Sequence, residues 1–275
     1  MEGRMQSAQE DQQLRLLLAQ LHDKVERAEQ GIFTHTDFLT PREARRAVAQ
    51  LKEWGQAHRA CLYGGYDNAE RACLLLFPDY MTDALGDEPT EPLCEVLSSF
   101  GQDSPVTALY IRASGYRELT HRDYLGSLLS LGLERSVLGD IAVDEQGATV
   151  LCLARIKPFL LSHVERIGGD AVKVREICLP PDFDGGRRYL PVSDTVASPR
   201  LDCVVASLAN CSREAAQSAV RNGEVELDYE CEMRLDRTVE VPCVISVRGV
   251  GKFAIRQLSE RTKKGRLRLV ADRYV

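Results

Sequence analysis

RLDCVVASLANCSREAAQSAVRNGEV, residues 200–225, reads as two short helices separated by one break. Leu201, Val204, Val205 and Leu208 recur at helical spacing and form one apolar face, which Asn210-Cys211 interrupts. Ser212 suits the N-cap of a second helix, because its hydroxyl can accept from a free backbone N–H of the first turn. Asn222-Gly223 closes that helix, with glycine supplying the left-handed position after the last turn. Ala216, Ala219 and Val220 face inward, whereas Arg213, Gln217 and Arg221 recur at i, i+4 and i+8 and form an outward polar stripe. The start of this helix also presents unbonded N–H groups and a positive dipole end to a phosphate. Val225–Leu227, Val239–Val241 and Val244–Val247 then read as short strands. Arg248-Gly249-Val250-Gly251-Lys252-Phe253 follows, where two glycines let a ligand approach the backbone beside two cations.

Charge sets this end apart. From Ser198 to Val275 there are 14 Lys and Arg against 11 Asp and Glu, a net of +3. The first 197 residues carry 21 against 30, a net of −9, and the chain total is −6. A total of −6 argues against a general polyanion binder. The asymmetry points to a polyanion partner at the basic end, above all in Arg256–Val275, with seven basic and two acidic residues.

A length of 275 residues fits two or three compact units, and 44% hydrophobic with 28% charged residues excludes wholesale disorder. The longest apolar run, Ala72–Phe77, is far shorter than the ~20 residues a membrane span needs. MEGRMQSAQEDQQ at the start lacks the apolar core of a signal peptide, so a soluble cytoplasmic protein with no membrane partner is expected. Nine cysteines, at 61, 73, 94, 152, 178, 203, 211, 231 and 243, never stand closer than eight residues apart. Zinc sites need pairs two to four apart so that one turn supplies two ligands, so neither a metal nor another cofactor is expected. Most of these cysteines sit among aliphatic neighbours and read as small buried hydrophobes.

Working back toward the N-terminus, residues 9–29 form a helix with a stripe at Leu14, Leu17, Leu18, Leu21 and Val25. Thr40-Pro41-Arg42-Glu43 opens a second helix through a capping box. Strands at Ala60–Tyr63 and Ala72–Phe77 complete a small α+β domain, residues 1–83. An acidic connection follows, 83–105, with one short element in it. Then come a strand at Ala108–Ala113, a helix at Arg122–Leu131, a hairpin of Gly139–Val143 and Thr149–Ile156, a helix from Pro158 to Ile167 and a strand at Val172–Ile177. The order β-α-β-β-α-β makes residues 84–180 a ferredoxin-like, RRM-like domain of the kind that binds RNA. Pro180-Pro181 and Gly185-Gly186 open a linker to about Ser198. The fold class is therefore α+β, ending in a third domain at 198–275.

R-L-D, S-R-x-x-A-x-x-x-[VI]-x-x-G-x-V and I-S-V-R stand here as Arg200-Leu201-Asp202, Ser212-Arg213-Glu214-Ala215 through Val225, and Ile245-Ser246-Val247-Arg248. This pattern resembles the S4 RNA-binding domain. It departs where a Val-Asn-Gly turn is usual, since Leu227-Asp228-Tyr229 occupies that place. The chain is also similar to the YlmH family of bacterial S4 proteins (photosystem II S4 domain-like). That resemblance rests on Leu119-Thr120-His121-Arg122-Asp123-Tyr124-Leu125-Gly126, on Leu131-Gly132-Leu133-Glu134-Arg135 with Leu138-Gly139-Asp140-Ile141, and on Ile245 through Phe253. It implies a cytoplasmic protein that binds rRNA and tRNA on the 50S ribosomal subunit in quality control of stalled translation. The residues expected to meet RNA are Arg200, Ser212, Arg213, Gln217, Arg221, Asn222, Arg248 and Lys252, on a protein working as a monomer.

The competing class is an RNA-modifying enzyme, of pseudouridine synthase or methyltransferase type, carrying S4 as an accessory. A synthase uses the Asp of an R-L-D as nucleophile, and Asp202 stands in that context. Capping or pairing with an arginine is the simpler role for it at a helix start. No glycine-rich loop follows a strand in the first 197 residues, as a methyltransferase would require. A third class is a scaffold acting through protein contacts of the acidic N-terminal region. His121-Arg122-Asp123 matches the opening of a kinase catalytic loop, but Leu128 stands where that loop needs Asn. Among the aromatics near strands, Tyr63, Tyr66, Phe77 and Tyr110, packing is favoured over base stacking.

Overall fold

The computed structural model describes residues 2–82, 93–261 and 265–275. It divides into two compact units, Met1–Gly186 and Arg187–Val275, and is α+β throughout.

In the first unit, α1 (Glu2–Glu29) and α2 (Pro41–Glu53) cover one face of an antiparallel sheet in the order β1-β3-β2. Its strands are β1 (Thr34–Leu39), β2 (Ala60–Tyr63) and β3 (Ala72–Leu76). The capping box of α2 is formed: Glu43 N donates to Thr40 Oγ1 at 3.3 Å, and Thr40 N donates to the Glu43 carboxylate at 2.7 Å. Every residue of β3 is buried. Leu74 and Leu76 join Leu21, Val25, Ala47 and Leu51 on the helix side, whereas Cys73, Leu75 and the following Phe77 join a second core on the other side. Burial on both faces explains the unbroken apolar run at 72–77. Strand β1 is not legible as one, because Thr34-His35-Thr36-Asp37 is polar. It pairs with β3 across an irregularity between His35 and Phe38, where the buried Thr36 hydroxyl accepts from Leu74 N at 2.9 Å. A side chain thus satisfies the amide that the irregular ladder leaves unpaired.

Short helices α3 (Asp79–Thr82) and α4 (Leu93–Ser99) follow. The expected boundary at residue 83 lies outside the described residues and inside the first compact unit. A five-stranded antiparallel sheet comes next, in the order β5-β6-β4-β8-β7. It comprises β4 (Val106–Ala113), β5 (Leu138–Val143), β6 (Gly147–Leu153), β7 (Arg166–Ile167) and β8 (Asp170–Ile177), with crossover helices α5 (His121–Ser130) and α6 (Lys157–His163). The helix expected to reach Ile167 stops at His163. Gly168 and Gly169, both left-handed at φ 52° and 91°, turn the chain so that Arg166-Ile167 pairs with Asp170-Ala171. Lys157 Nζ at the start of α6 meets Glu176, the cross-strand partner of Leu109, so α6 lies on the Leu109 face. The opposite face carries Val106 and Leu151, beside Gly65.

That opposite face joins the two sheets into one core, from Phe38 and Leu75 to Val106 and Leu151. Gly139 sits at the junction: a β-carbon there would lie 2.7 Å from the Phe38 ring and 2.8 Å from Leu151 Cβ. Its neighbour Asp140 accepts from Tyr66 Oη at 2.6 Å, Glu70 N at 2.7 Å and Arg71 N at 3.1 Å. The Leu138-Gly139-Asp140 triplet therefore binds the N-terminal sheet to the second one.

The second unit is a six-stranded antiparallel sheet, β11-β10-β12-β13-β14-β9, with two helices on one face. Its elements are β9 (Tyr189–Val196), α7 (Leu201–Leu208), α8 (Arg213–Arg221), β10 (Val225–Leu227), β11 (Glu230–Cys231), β12 (Cys243–Val247), β13 (Gly251–Arg261) and β14 (Leu267–Tyr274). Leu201, Val204, Val205, Leu208, Ala216 and Val220 pack on Ile245, Phe253, Ile255, Leu269 and Ala271. Two expectations change. The segment read as a linker to Ser198 contains β9, paired along its whole length with β14, so this unit starts at Arg187. An edge strand tolerates Pro191, which hid it from the sequence pattern. Val239–Val241 is no strand: Val239 is buried and its N–H donates to Pro199 O at 2.8 Å. The basic stretch from Arg256 folds as the β13–β14 hairpin, with 262–264 outside the described residues. Among the described cysteines, Cys73, Cys152 and Cys243 are buried, whereas Cys178, Cys211 and Cys231 are exposed. Among the described residues no helix is long and apolar enough to cross a membrane.

Candidate nucleic-acid interface

Asp202 is wholly buried, in the first turn of α7. Its Oδ1 accepts from Arg200 Nε at 3.1 Å. Its Oδ2 accepts from Arg200 Nη2 at 3.4 Å, Arg213 Nε and Nη2 at 3.2 and 3.1 Å, and Gln217 Nε2 at 3.0 Å. Burial alone would raise the pKa of this carboxyl. The donors from Arg200, Gln217 and Arg213 outweigh it and hold the group well below the usual carboxylate range. Both oxygens are engaged and neither meets solvent, so Asp202 has nothing to offer a substrate as a nucleophile.

The outward stripe read from the sequence is therefore only partly free. Arg213 and Gln217 bend back to Asp202, together with Arg200 from the residue before α7. The side chains of Arg200 and Arg213 still keep 39% and 57% of their surface in solvent. Asp202 thus fixes two guanidinium groups at the surface, and each retains donors that the carboxylate does not use. Ser212 caps α8 as expected, its hydroxyl accepting from Ala215 N at 3.2 Å. At the other end of α8, Arg221 and Asn222 are exposed. Arg248 joins that end, because its N–H donates to Glu224 O at 2.9 Å and its side chain is exposed.

Lys252 does not join them. It alternates along β13 with Phe253, which faces the helices, so it stands on the opposite face of the sheet. There its ammonium lies 4.6 Å from the Tyr229 ring centroid and 4.9 Å from that of Tyr274. The Asp228-Tyr229 turn keeps a tight two-residue hairpin: both residues are left-handed, at φ 54° and 68°, and Asp228 Oδ1 accepts from Val244 N at 2.9 Å. The sequence reading also missed Arg237 and Arg234. Leu201 N donates to Arg237 O at 2.8 Å, which brings that exposed residue beside Arg200, and Arg234 pairs with Glu232 at 3.0 Å. Only the fold of the 232–239 loop brings them here, so no local sequence signal marks them. Among the described residues no group of three His, Cys, Asp or Glu side chains could hold a metal ion.

Residues 107–180 match a family model described as "Putative RNA-binding domain in YlmH". The chain is 32% identical over 244 residues, 86% of each chain, to ribosome-associated protein quality control protein P2 of Bacillus subtilis (strain 168). It is also similar to a solved structure, cell division protein ylmH from Streptococcus pneumoniae, at 25% identity and a TM-score of 0.45, over 59% of this chain and 90% of that one. The chain belongs to the YlmH family.

Proposed function

We propose that this protein binds RNA on the large ribosomal subunit, rRNA first and tRNA second, and acts in quality control of stalled translation. It works by occupancy, as a cytoplasmic monomer with no chemistry, metal or cofactor of its own. In this reading the second unit is an S4 domain, and the strand order β5-β6-β4-β8 is that of a ferredoxin-like domain. The observation that carries the proposal is the Asp202 cluster: a buried carboxylate aligns Arg200 and Arg213 at the surface beside the N-terminus of α8. Guanidinium groups fixed in this way suit bidentate phosphate recognition. The name of the Bacillus subtilis relative supplies the ribosome and the quality-control step.

The test is co-sedimentation with 50S subunits for the full chain and for Arg221→Ser/Arg248→Ser. Neither side chain forms an ion pair among the described residues, so melting should not change while ribosome association weakens and its salt slope becomes shallower. Equal co-sedimentation of variant and wild type would remove this surface from the interface. A new modification on the recovered rRNA or tRNA would instead favour the enzyme class.

A further inference from the structure

Residues 180–186, Pro-Pro-Asp-Phe-Asp-Gly-Gly, are the last of the first unit, and the second begins at the next residue, Arg187. Prolines at one end and glycines at the other have the composition of a free linker, yet the stretch lies against its own unit. Phe183 is half-buried at the margin of the first core, its ring 5.0 Å from that of Tyr66 in an edge-on contact. Gly185 and Gly186 are both left-handed, at φ 79° and 64°. A β-carbon on Gly185 would lie 2.3 Å from Tyr66 Oη, and one on Gly186 would lie 3.4 Å from Ala142 Cβ on β5. Only glycine lets the backbone turn this way and pass so close to the tyrosine.

The seat is built without the strap. Tyr66 Oη donates to Asp140 at 2.6 Å, and the same carboxylate accepts from Glu70 N at 2.7 Å and Arg71 N at 3.1 Å. These bonds fix the turn before β3 to β5, so the tyrosine is held from the side away from Phe183. The strap has no such anchor. Its hydrogen bonds close within it, Phe183 N to Pro180 O at 3.0 Å and Gly186 N to Asp184 Oδ1 at 2.9 Å. Among the described residues, no hydrogen bond or ion pair joins 180–186 to the rest of the first unit. Asp182 and Asp184 are exposed. A fixed seat thus holds this segment through one ring contact and close fit. Segments with so few buried contacts open at a free energy well below that of the core beside them.

We infer that residues 180–186 are a releasable strap between the two units, docked on Tyr66 and Ala142. Docked, it leaves no free residue before Arg187. Released, it becomes a tether of about 20–25 Å when extended. Release gives the second unit a range of movement while both hydrophobic cores stay intact. The inference does not depend on what either unit binds.

The experiment is limited proteolysis of the full chain with an endopeptidase that cuts after aspartate, with cleavage at Asp182 and Asp184 read by mass spectrometry. While reclosing outpaces cutting, the rate follows the released population. Wild type should be cut at these bonds well below the urea transition, and with little dependence on urea, because release exposes little surface. Tyr66→Ala leaves the sequence of the strap untouched. It should be cut roughly 10- to 50-fold faster, through loss of one aromatic pair and of the cover over a half-buried phenyl ring. Phe183→Ser should match it, once its rate is divided by that of a free peptide of residues 176–190 with the same substitution. The double variant should be no faster than either single one, since both remove one contact. If far-UV CD shows that Tyr66→Ala does not fold, Phe183→Ser and the urea dependence of wild type carry the test. Unchanged rates in the folded variants, or rates that multiply in the double variant, would overturn the inference. So would wild-type cleavage that appears only with global unfolding, because the strap would then be a fixed part of the first unit.

Discussion

Replacing Arg200 and Arg213 together with alanine tests the central cluster of the second unit. Asp202 would lose four of its five side-chain donor contacts and keep only Gln217 Nε2 at 3.0 Å. Removing the partner of a buried charge costs about 3–5 kcal/mol. The two arginines are 39% and 57% exposed, so water entering their places recovers part of this, leaving about 2–4 kcal/mol. For a unit of about 90 residues each kcal/mol moves the melting temperature by roughly 4–8 °C, so a fall of at least ~8 °C is expected. Thermal unfolding of the full chain, followed by far-UV CD, measures it, and urea unfolding gives the free-energy difference. Adding Asp202→Asn to the pair removes the stranded charge and should recover part of the loss, a non-additive cycle. Arg221→Ala/Arg248→Ala, exposed and outside the cluster, should stay within ~0.5 kcal/mol of wild type. A double variant at 200 and 213 as stable as that control would show that these arginines do not hold Asp202.

Acid should find the same cluster. The folded pKa of Asp202 lies below its unfolded one, so its contribution is complete above the ordinary carboxylate range and disappears as pH falls through it; Asp202→Asn should flatten the stability profile between about pH 5 and 2. Gly139→Ala should destabilise the first unit by about 1–3 kcal/mol in urea unfolding, because its β-carbon would overlap Phe38 and Leu151. In native protein at neutral pH, maleimide should label Cys178, Cys211 and Cys231 rapidly, as read by mass spectrometry. Cys73 and Cys152, buried and with thiols pushed up to about 12, should react only after denaturation.

What the sequence discloses here follows the range of the interaction. The Thr40–Glu43 box and the Ser212 cap are made within three residues, and both appear as read. The stripe of α8 was placed on the proper face, but its partner was not, because Asp202 lies 11 residues from Arg213 and 15 from Gln217. Periodicity can say which side of a helix looks outward; it cannot say what reaches over from the next helix. Strands β1 and β9 were missed for a related reason. Thr36 repairs an irregular ladder to a strand 38 residues away, and Pro191 is tolerated only because β9 lies at an edge. Lys252 was grouped with the helix-face residues by proximity in sequence, whereas strand alternation sends it to the opposite side.

The shared core of the two sheets has a consequence during synthesis. Strand β3 ends at Leu76, but its second face is completed only by strands that end at Leu153. At about 5–20 residues per second, the intervening stretch takes roughly 4–15 s to translate. For that interval Leu75 and Phe77 leave the ribosome with α1 and α2 available to cover one side of their sheet and nothing to cover the other. The most apolar strand of the protein is then a natural target for a chaperone. A pause in translation between residues 77 and 153 would lengthen that exposure and favour aggregation of the nascent chain.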